Sequence, residues 1–472
     1  MLNLSQAQII SIAVNASVFV IIAISSFLII NKLKFEQSGY KYLFLLYTIF
    51  WIPIMLVRPY RGTIQTAIDK QFVTIALSVY GFVGIFVRIF ADAINYLFRH
   101  RKTFLYICAI SELGLFLPLV INPSSATNIL SSIGIGIGAS CIGTYELLFK
   151  EQFGNKKAFL TVSVLSIPPL LANFLTAPIQ SLIKTVATTG QSQVDPNILR
   201  YLWLIAIPFL LISFIMIFFL KEKRMVAGIQ LGYYRDLRKN NQLVIREWSF
   251  FIILAIIGSL IAFIKFSNSD AMATLHIQNL GSITNNDVSS YEGYISVIFS
   301  LFQLLAGVLL GTVLIRKIDT IKIFLIGSCS WIVYLISATF IQNPIGYFCV
   351  HSLNGFGYGI LYNLVLAIVL NISIDNKVIT KMGIYQSILS IGITVSSFFT
   401  KWLKNLLTNN NLNLYMHDYL IENMILLAIV IIVTILFISF NMILKIPKSV
   451  DKDSKMANKK PLKKGILNKV SQ

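Results

Sequence analysis

Two arginines, Arg58 and Arg61, stand in an apolar run from Tyr42 to Ile68, YLFLLYTIFWIPIMLVRPYRGTIQTAI, where a membrane-spanning helix places hydrocarbon. A bilayer core of about 30 Å needs roughly 20 helical residues. Tyr42 to Val57 is short of that, so the span is expected to continue past RPYRG to Ile68 with both arginines inside it. The competing arrangement ends the helix at Val57 and leaves both stems snorkelling at the interface. An arginine at depth costs at least about 2.5–3.5 kcal/mol unless a polar or wet cavity receives it, which marks it as a functional candidate.

A second cation matches the first. Counted from Tyr42, Arg58 comes about sixteen residues in; counted from Trp248, Lys265 comes about seventeen in. If the two halves of the chain are repeats, both cations lie at similar depth on facing helices. A planar arginine fork and a compact lysine charge together suit an oxyanion such as phosphate. The alternative is that Lys265 marks the outer end of its helix, since FSNSD follows.

The remaining intramembrane charges have other readings. Arg88 and Asp92 share a helix face at i and i+4 and suit a gate lock, with substrate contact as the alternative. Glu112, mid-span, is a candidate coupling carboxylate or a partner for Arg61 or Arg88. Glu146 suits an inner-end ion pair with Lys150. Tyr47, Tyr60, Tyr358, Tyr362, Asn363 and Gln386 are polar groups on candidate cavity-lining helices, able to fix substrate hydroxyls. Cys108, Cys141, Cys329 and Cys349 lie in apolar runs without metal-ligand spacing and read as packing residues. No histidine set suggests a metal, no cofactor is expected, and no GxxxxGK[ST] word suggests a nucleoside triphosphatase.

The elements that must position these groups follow from composition. Of 472 residues, 56% are hydrophobic and 12% charged, against about 25% charged in soluble domains, so the chain reads as an all-α, polytopic membrane protein. The net charge of +20 would suggest nucleic acid in a soluble protein; here the basic residues gather mainly in alternate loops and orient the chain instead, with no nucleic-acid partner expected. MLNLSQAQ lacks a basic start and a cleavage site, so the first helix is expected to be retained.

Residues 1–40 read as an extra N-terminal transmembrane helix, about Ile9 to Ile30, with the N-terminus outside. Residues 41–220 form an N-terminal six-helix bundle, with spans near Tyr42–Ile68, Phe72–Phe98, Thr103–Ile121, Ile129–Phe149, Ala158–Ile183 and Leu199–Leu220. Residues 221–247 form a basic cytoplasmic linker. Residues 248–445 form a C-terminal six-helix bundle, with spans from about Trp248, Tyr294, Ile321, Ile345, Gly383 and Leu420; residues 446–472 are a basic cytoplasmic tail. Lys401 and Lys404, on the outer side, depart from the charge pattern. Pro168 and Pro169 are expected to kink the fifth core helix. The words IGIGIGAS and LNGFGYGILYNL have no preceding strand and read as close-packing surfaces rather than nucleotide fingerprints.

The run GIFVRIFADAINYLFRHRKTFLY resembles the major facilitator superfamily signature between its second and third helices. Asp92 matches the acid, and Arg99, Arg101 and Lys102 match the basic cluster. The spacing is longer and the family's glycine is absent. LVRPYRGTI, ALSVYGFVGIFVRIFAD, SIPPLLANF and AFIKFSNSD are loosely similar to stretches of the organophosphate:phosphate antiporters. That resemblance implies Arg58 and Lys265 as phosphate ligands; the branch's fifth-helix histidine is missing near Thr161 and Ser163. The expectation is a monomeric secondary transporter in a bacterial plasma membrane, exchanging a small anionic solute such as a sugar phosphate for phosphate. Arg58, Arg61, Lys265, Tyr47, Tyr60, Tyr362 and Asn363 are its candidate solute contacts. Arg88, Asp92, Glu112, Arg99 and Arg101 are its candidate coupling or gating groups. Proton-coupled transport of a neutral, cationic or peptide solute, and a non-transporting receptor or scaffold, are the alternatives.

Overall fold

The computed structural model describes residues 39–153, 158–188, 194–222, 241–268, 288–372, 378–409 and 415–444, together with a few isolated positions before 39 and between 269 and 287. Among these, twelve helices are long and apolar enough to cross a membrane. They are α1 Tyr40–Ile68, α2 Lys70–Asn95, α3 Arg101–Ile121, α4 Ser125–Lys150, α5 Thr161–Lys184, α6 Pro196–Phe219, α7 Trp248–Ser267, α8 Gly293–Lys317, α9 Thr320–Phe340, α10 Pro344–Leu370, α11 Lys381–Leu403 and α12 Leu420–Met442. No strand occurs among the described residues. Helices satisfy their own backbone groups, which a hydrocarbon environment demands.

α1 is continuous to Ile68, so the short version ending at Val57 does not form. The helix feeding α7 begins at Asn241, inside the stretch read as linker. The extra N-terminal helix falls largely outside the described residues; Ile9, Ala13, Ala16, Ser17, Val20, Ile21, Ala23 and Ile24 are helical. The tail from 445 lies wholly outside them.

Helices α1 to α6 pack among themselves, as do α7 to α12, and the sets join chiefly where α2 packs on α11 and where α5 packs on α8 and α10. At the α2–α11 seam, a Cβ on Gly81 or Gly84 would press on Thr394 or Ser390. At the α5–α8 seam, Ile167, Leu170, Leu171 and Phe174 meet Val297 and Leu304. The end carrying Arg101, Lys150, Lys317 and Lys381 is called the basic end below; α1 and α7 start there and run to the far end.

Several spans are broken where their sequence weakens the ladder. α5 turns at Ser166, just before Pro168 and Pro169, which cannot donate to the preceding turn. α8 widens into a π turn at Leu310–Leu314, where Gly311 meets Ser163 and the Phe159 carbonyl. The glycines of α10 keep its neighbours close: Gly355 lies on the Phe299 backbone of α8, and Gly357 lies against the Trp331 ring of α9. Gly355→Leu is expected to force α8 away from α10 and destabilise the protein by about 1–3 kcal/mol. A lower melting temperature in detergent checks it; an unchanged one would show that α8 yields freely.

Candidate functional site

The word RPY sets the site's geometry. Pro59 removes a backbone donor, and Arg58–Tyr60 winds as a single 3-10 turn within α1. Arg58 and Tyr60 leave α1 in different directions. Half-buried Arg58 reaches the other half of the molecule, its Cζ 6.0 Å from the centre of the Phe266 ring on α7. Tyr60 receives Lys184 of α5, whose Nζ lies 5.9 Å from the ring centre.

Arg61 turns back into the first set of helices. Its Cζ lies 4.6 Å from the Tyr80 ring centre, Nη1 donates to the Leu77 carbonyl at 3.4 Å, and Nε donates to the Arg58 carbonyl at 3.0 Å. Its own carbonyl accepts from Asn128 Nδ2 of α4 at 3.1 Å. Arg61, 3% exposed, thus ties α1 to α2 and α4, whereas Arg58 faces α7.

Lys265 arrives from the opposite half. Its Nζ lies 4.8 Å from the centre of Phe266, 5.1 Å from Phe299 and 5.2 Å from Tyr358, rings carried by α7, α8 and α10. A cation over an aromatic face gains about 0.5–1 kcal/mol when exposed and about 2 when desolvated. Two cations from the two halves thus address one ring, Phe266.

The polar candidates are distributed unevenly around this point. Tyr362 stacks on Tyr358, 5.4 Å between centres, and is half-buried. Asn363 is buried beside Gly307 of α8, and its Nδ2 has no hydrogen-bond partner among the described residues. Tyr47 is packed lower in α1 against Trp51, Tyr145 and Phe149, with 1% exposure.

A second polar cluster lies toward the basic end. Arg88 Nη1 of α2 donates to the Gln386 carbonyl of α11 at 2.9 Å and to its Oε1 at 3.3 Å. Gln386 Nε2 in turn donates to Glu146 of α4, 3.1 and 3.0 Å from the two carboxylate oxygens. The amide of one half therefore bridges the guanidinium and carboxylate of the other. Lys150 donates across to the Leu370 carbonyl of α10, and Ser163 Oγ to the Gly307 carbonyl of α8 at 2.6 Å. The structure gives Glu146 to Gln386 and Lys150 to a main-chain carbonyl, where the sequence suggested that the two pair with each other. The side chain of Asp92 lies outside the described residues.

The basic turn between α2 and α3 is organised by an acid from beyond α6. Glu222 accepts from the backbone N–H groups of Arg101 at 3.0 Å and of Lys102 at 3.3 Å, and lies 3.0 Å from His100 Nδ1. A carboxylate at a helix N-terminus meets free amides and a favourable dipole. Arg99 makes the bend with φ 58, and Arg101 is buried. A void of about 10 Å³ adjoins Arg88, Ser140, Thr144 and Gln386, room for one water at most.

Two sets of six helices, meeting where α2 packs on α11 and where α5 packs on α8 and α10, form the architecture of a rocking carrier. The model of the Major Facilitator Superfamily matches residues 42–397. The chain belongs to that superfamily. Among solved structures, the human organic anion transporter MFSD10 (TETRAN) is similar at TM-score 0.64 and 10% identity, over 85% of this chain and 100% of that one. The proton:xylose symporter XylE matches at TM-score 0.60 and 13% identity, over 85% and 96%. The E. coli fucose:proton symporter FucP matches at 0.58 and 14%, over 84% and 98%. No curated protein matches the sequence. The chain is therefore a multi-pass transporter for a small solute that works by alternating access, and not an enzyme.

The bridging amide was legible only as a polar residue on a candidate cavity helix, and Lys184 was not singled out. Lys184 is a lone lysine near the end of an apolar run, without the matched count that marks Lys265. If the Gln386 bridge helps hold the basic end shut, Gln386→Ala should open it. Losing hydrogen bonds to charged groups costs about 1.5–3 kcal/mol, roughly tenfold or more in population. A cysteine placed at Thr144 should then react faster with a membrane-impermeant maleimide; an unchanged rate would refute the latch.

Proposed function

We propose that this transporter moves a small anion, with a phosphorylated metabolite exchanged for inorganic phosphate as the leading case, and that Arg58 and Lys265 are its ligands. One observation carries the reading: a cation from each half lies over the same ring, where an oxyanion inserted between them would join the halves. Arginine contributes a two-point fork and lysine a compact charge. In this reading Tyr60, Tyr362 and Asn363 contact the rest of the solute, and Lys184 adds positive charge on the α5 side. Arg61 and Tyr47 act from behind, by holding α1 in place.

In this mechanism the solute offsets the repulsion of two like charges approaching across the interface and so favours the rocking step. The Arg88–Gln386–Glu146 bridge opens as the halves separate at the basic end, and Arg88 and Glu146, both on the first half, can then face each other. The tendency of basic loops to stay inside supports a cytoplasmic side for that end, in a plasma membrane. Arg58→Ala and Lys265→Ala should each reduce phosphate counterflow in proteoliposomes by at least about tenfold, the loss expected for a charge-assisted contact. Wild-type rates in either variant would remove that residue from the site.

A second reading, proton coupling, has an observation of its own. Glu112 of α3 is buried against Gly138 of α4, where a Cβ would overlap the carboxylate, and neither carboxylate oxygen has a hydrogen-bond partner among the described residues. Its titratable neighbours are Cys108 and Cys141. An ionised carboxylate without a partner is costly to bury, so such a site suits the holding of one proton. Under this reading Glu112→Gln abolishes uptake driven by a pH gradient but preserves solute exchange at equal pH. Gradient-driven uptake that survives the substitution excludes Glu112 as the coupling group.

A further inference from the structure

We infer that the solute carries a ring beside its negative charge, and that this ring lies on the aromatic faces of Phe299 and Tyr362, which flank buried Tyr358. The inference rests on the anion reading above and narrows it to cyclic organic anions. Tyr358 is close to parallel with three neighbours: Phe299 at 30° and 6.0 Å, Trp331 at 23° and 6.2 Å, and Tyr362 at 19° and 5.4 Å. Elsewhere among the described residues rings meet edge-on or tilted, as in Tyr47–Trp51 at 77° and Phe263–Phe399 at 59°, except for the single buried pair Phe324–Phe437 at 8°. Edge-on packing encloses ring faces, whereas offset parallel packing can leave the outer faces of a group open.

The scaffold holds this group flat. Gly355 and Gly357 let α8 and α9 approach α10, which brings Phe299 and Trp331 up to Tyr358. Trp331 forms the rear wall, 1% exposed, its Nε1 donating to Asn354 Oδ1 and to the Asn354 carbonyl, both at 3.1 Å. Phe299 and Tyr362 remain half-buried at the front. Lys265 Nζ reaches Phe299 and Tyr358 as well as Phe266, so an anionic group bound by Lys265 starts beside these faces. A ring attached to that group covers the apolar faces; a short acyclic ester leaves them uncovered. A sugar presents an apolar face of C–H groups and an aryl group a π face, and both suit the stack.

The test uses the purified full chain in detergent and measures dissociation constants by calorimetry for inorganic phosphate, ethyl phosphate, phenyl phosphate and glucose 6-phosphate. At least one cyclic ester should bind about fivefold or more tightly than ethyl phosphate, the scale of one stacking contact. Phe299→Leu and Tyr362→Leu should erase that preference, so that each variant binds the cyclic esters no more tightly than ethyl phosphate. If wild type binds ethyl phosphate as tightly as both cyclic esters, and Arg58→Ala weakens all of them, the ring inference is overturned and the anion reading survives. If none of the four anions binds, both fall. The wild-type comparison decides the matter even if a leucine variant misfolds.

Discussion

The structure depends on how positive charge is kept at membrane depth. A bare cation there costs at least about 2.5–3.5 kcal/mol, and each cation at this site is set over an aromatic face: Arg58 over Phe266, Lys184 over Tyr60, and Lys265 over Phe266, Phe299 and Tyr358. Such faces attract a cation without neutralising it. Arg61 shows the contrasting solution, since two carbonyls and the Tyr80 ring occupy its guanidinium within one set of helices.

The interface between the halves follows a related division of labour. The α5–α8 seam carries apolar contacts from Ile167 to Phe174 that tolerate sliding, with Asn173 donating to Ser296 at 3.2 Å and to Ser300 at 3.0 Å. The contacts nearer the basic end are discrete and directional, above all the Gln386 amide between Arg88 and Glu146. Directional bonds either form or do not, so they give a seam defined closed and open arrangements. Because Arg88 and Glu146 belong to the same half, their charges need not be left bare when the amide withdraws.

Much of this was legible in the chain itself, for physical reasons. Hydropathy is local, so all twelve described spans could be located from composition, with ends displaced by a few residues. Counting from two span starts set Arg58 and Lys265 at one level, and the folded chain brings both to Phe266. What failed to show depends on partners far apart in sequence. Nothing in RPYRG says that one arginine crosses to Phe266 of α7 while the other, three residues on, returns to Tyr80 of α2; partners distant in sequence decide that. The Gln386 bridge joins residues 240 apart to Glu146 and 298 apart to Arg88, beyond the reach of any local pattern.

Glu222 has a mechanical consequence. It lies just past the end of α6, yet its carboxylate is fastened to the start of α3 through the amides of Arg101 and Lys102. The strand of chain that leads to the second half thus departs from a fixed mooring on the turn that follows α2, rather than from a free helix end. A pull arriving at Glu222 is therefore delivered to the turn between α2 and α3, next to the helix that bears Arg88.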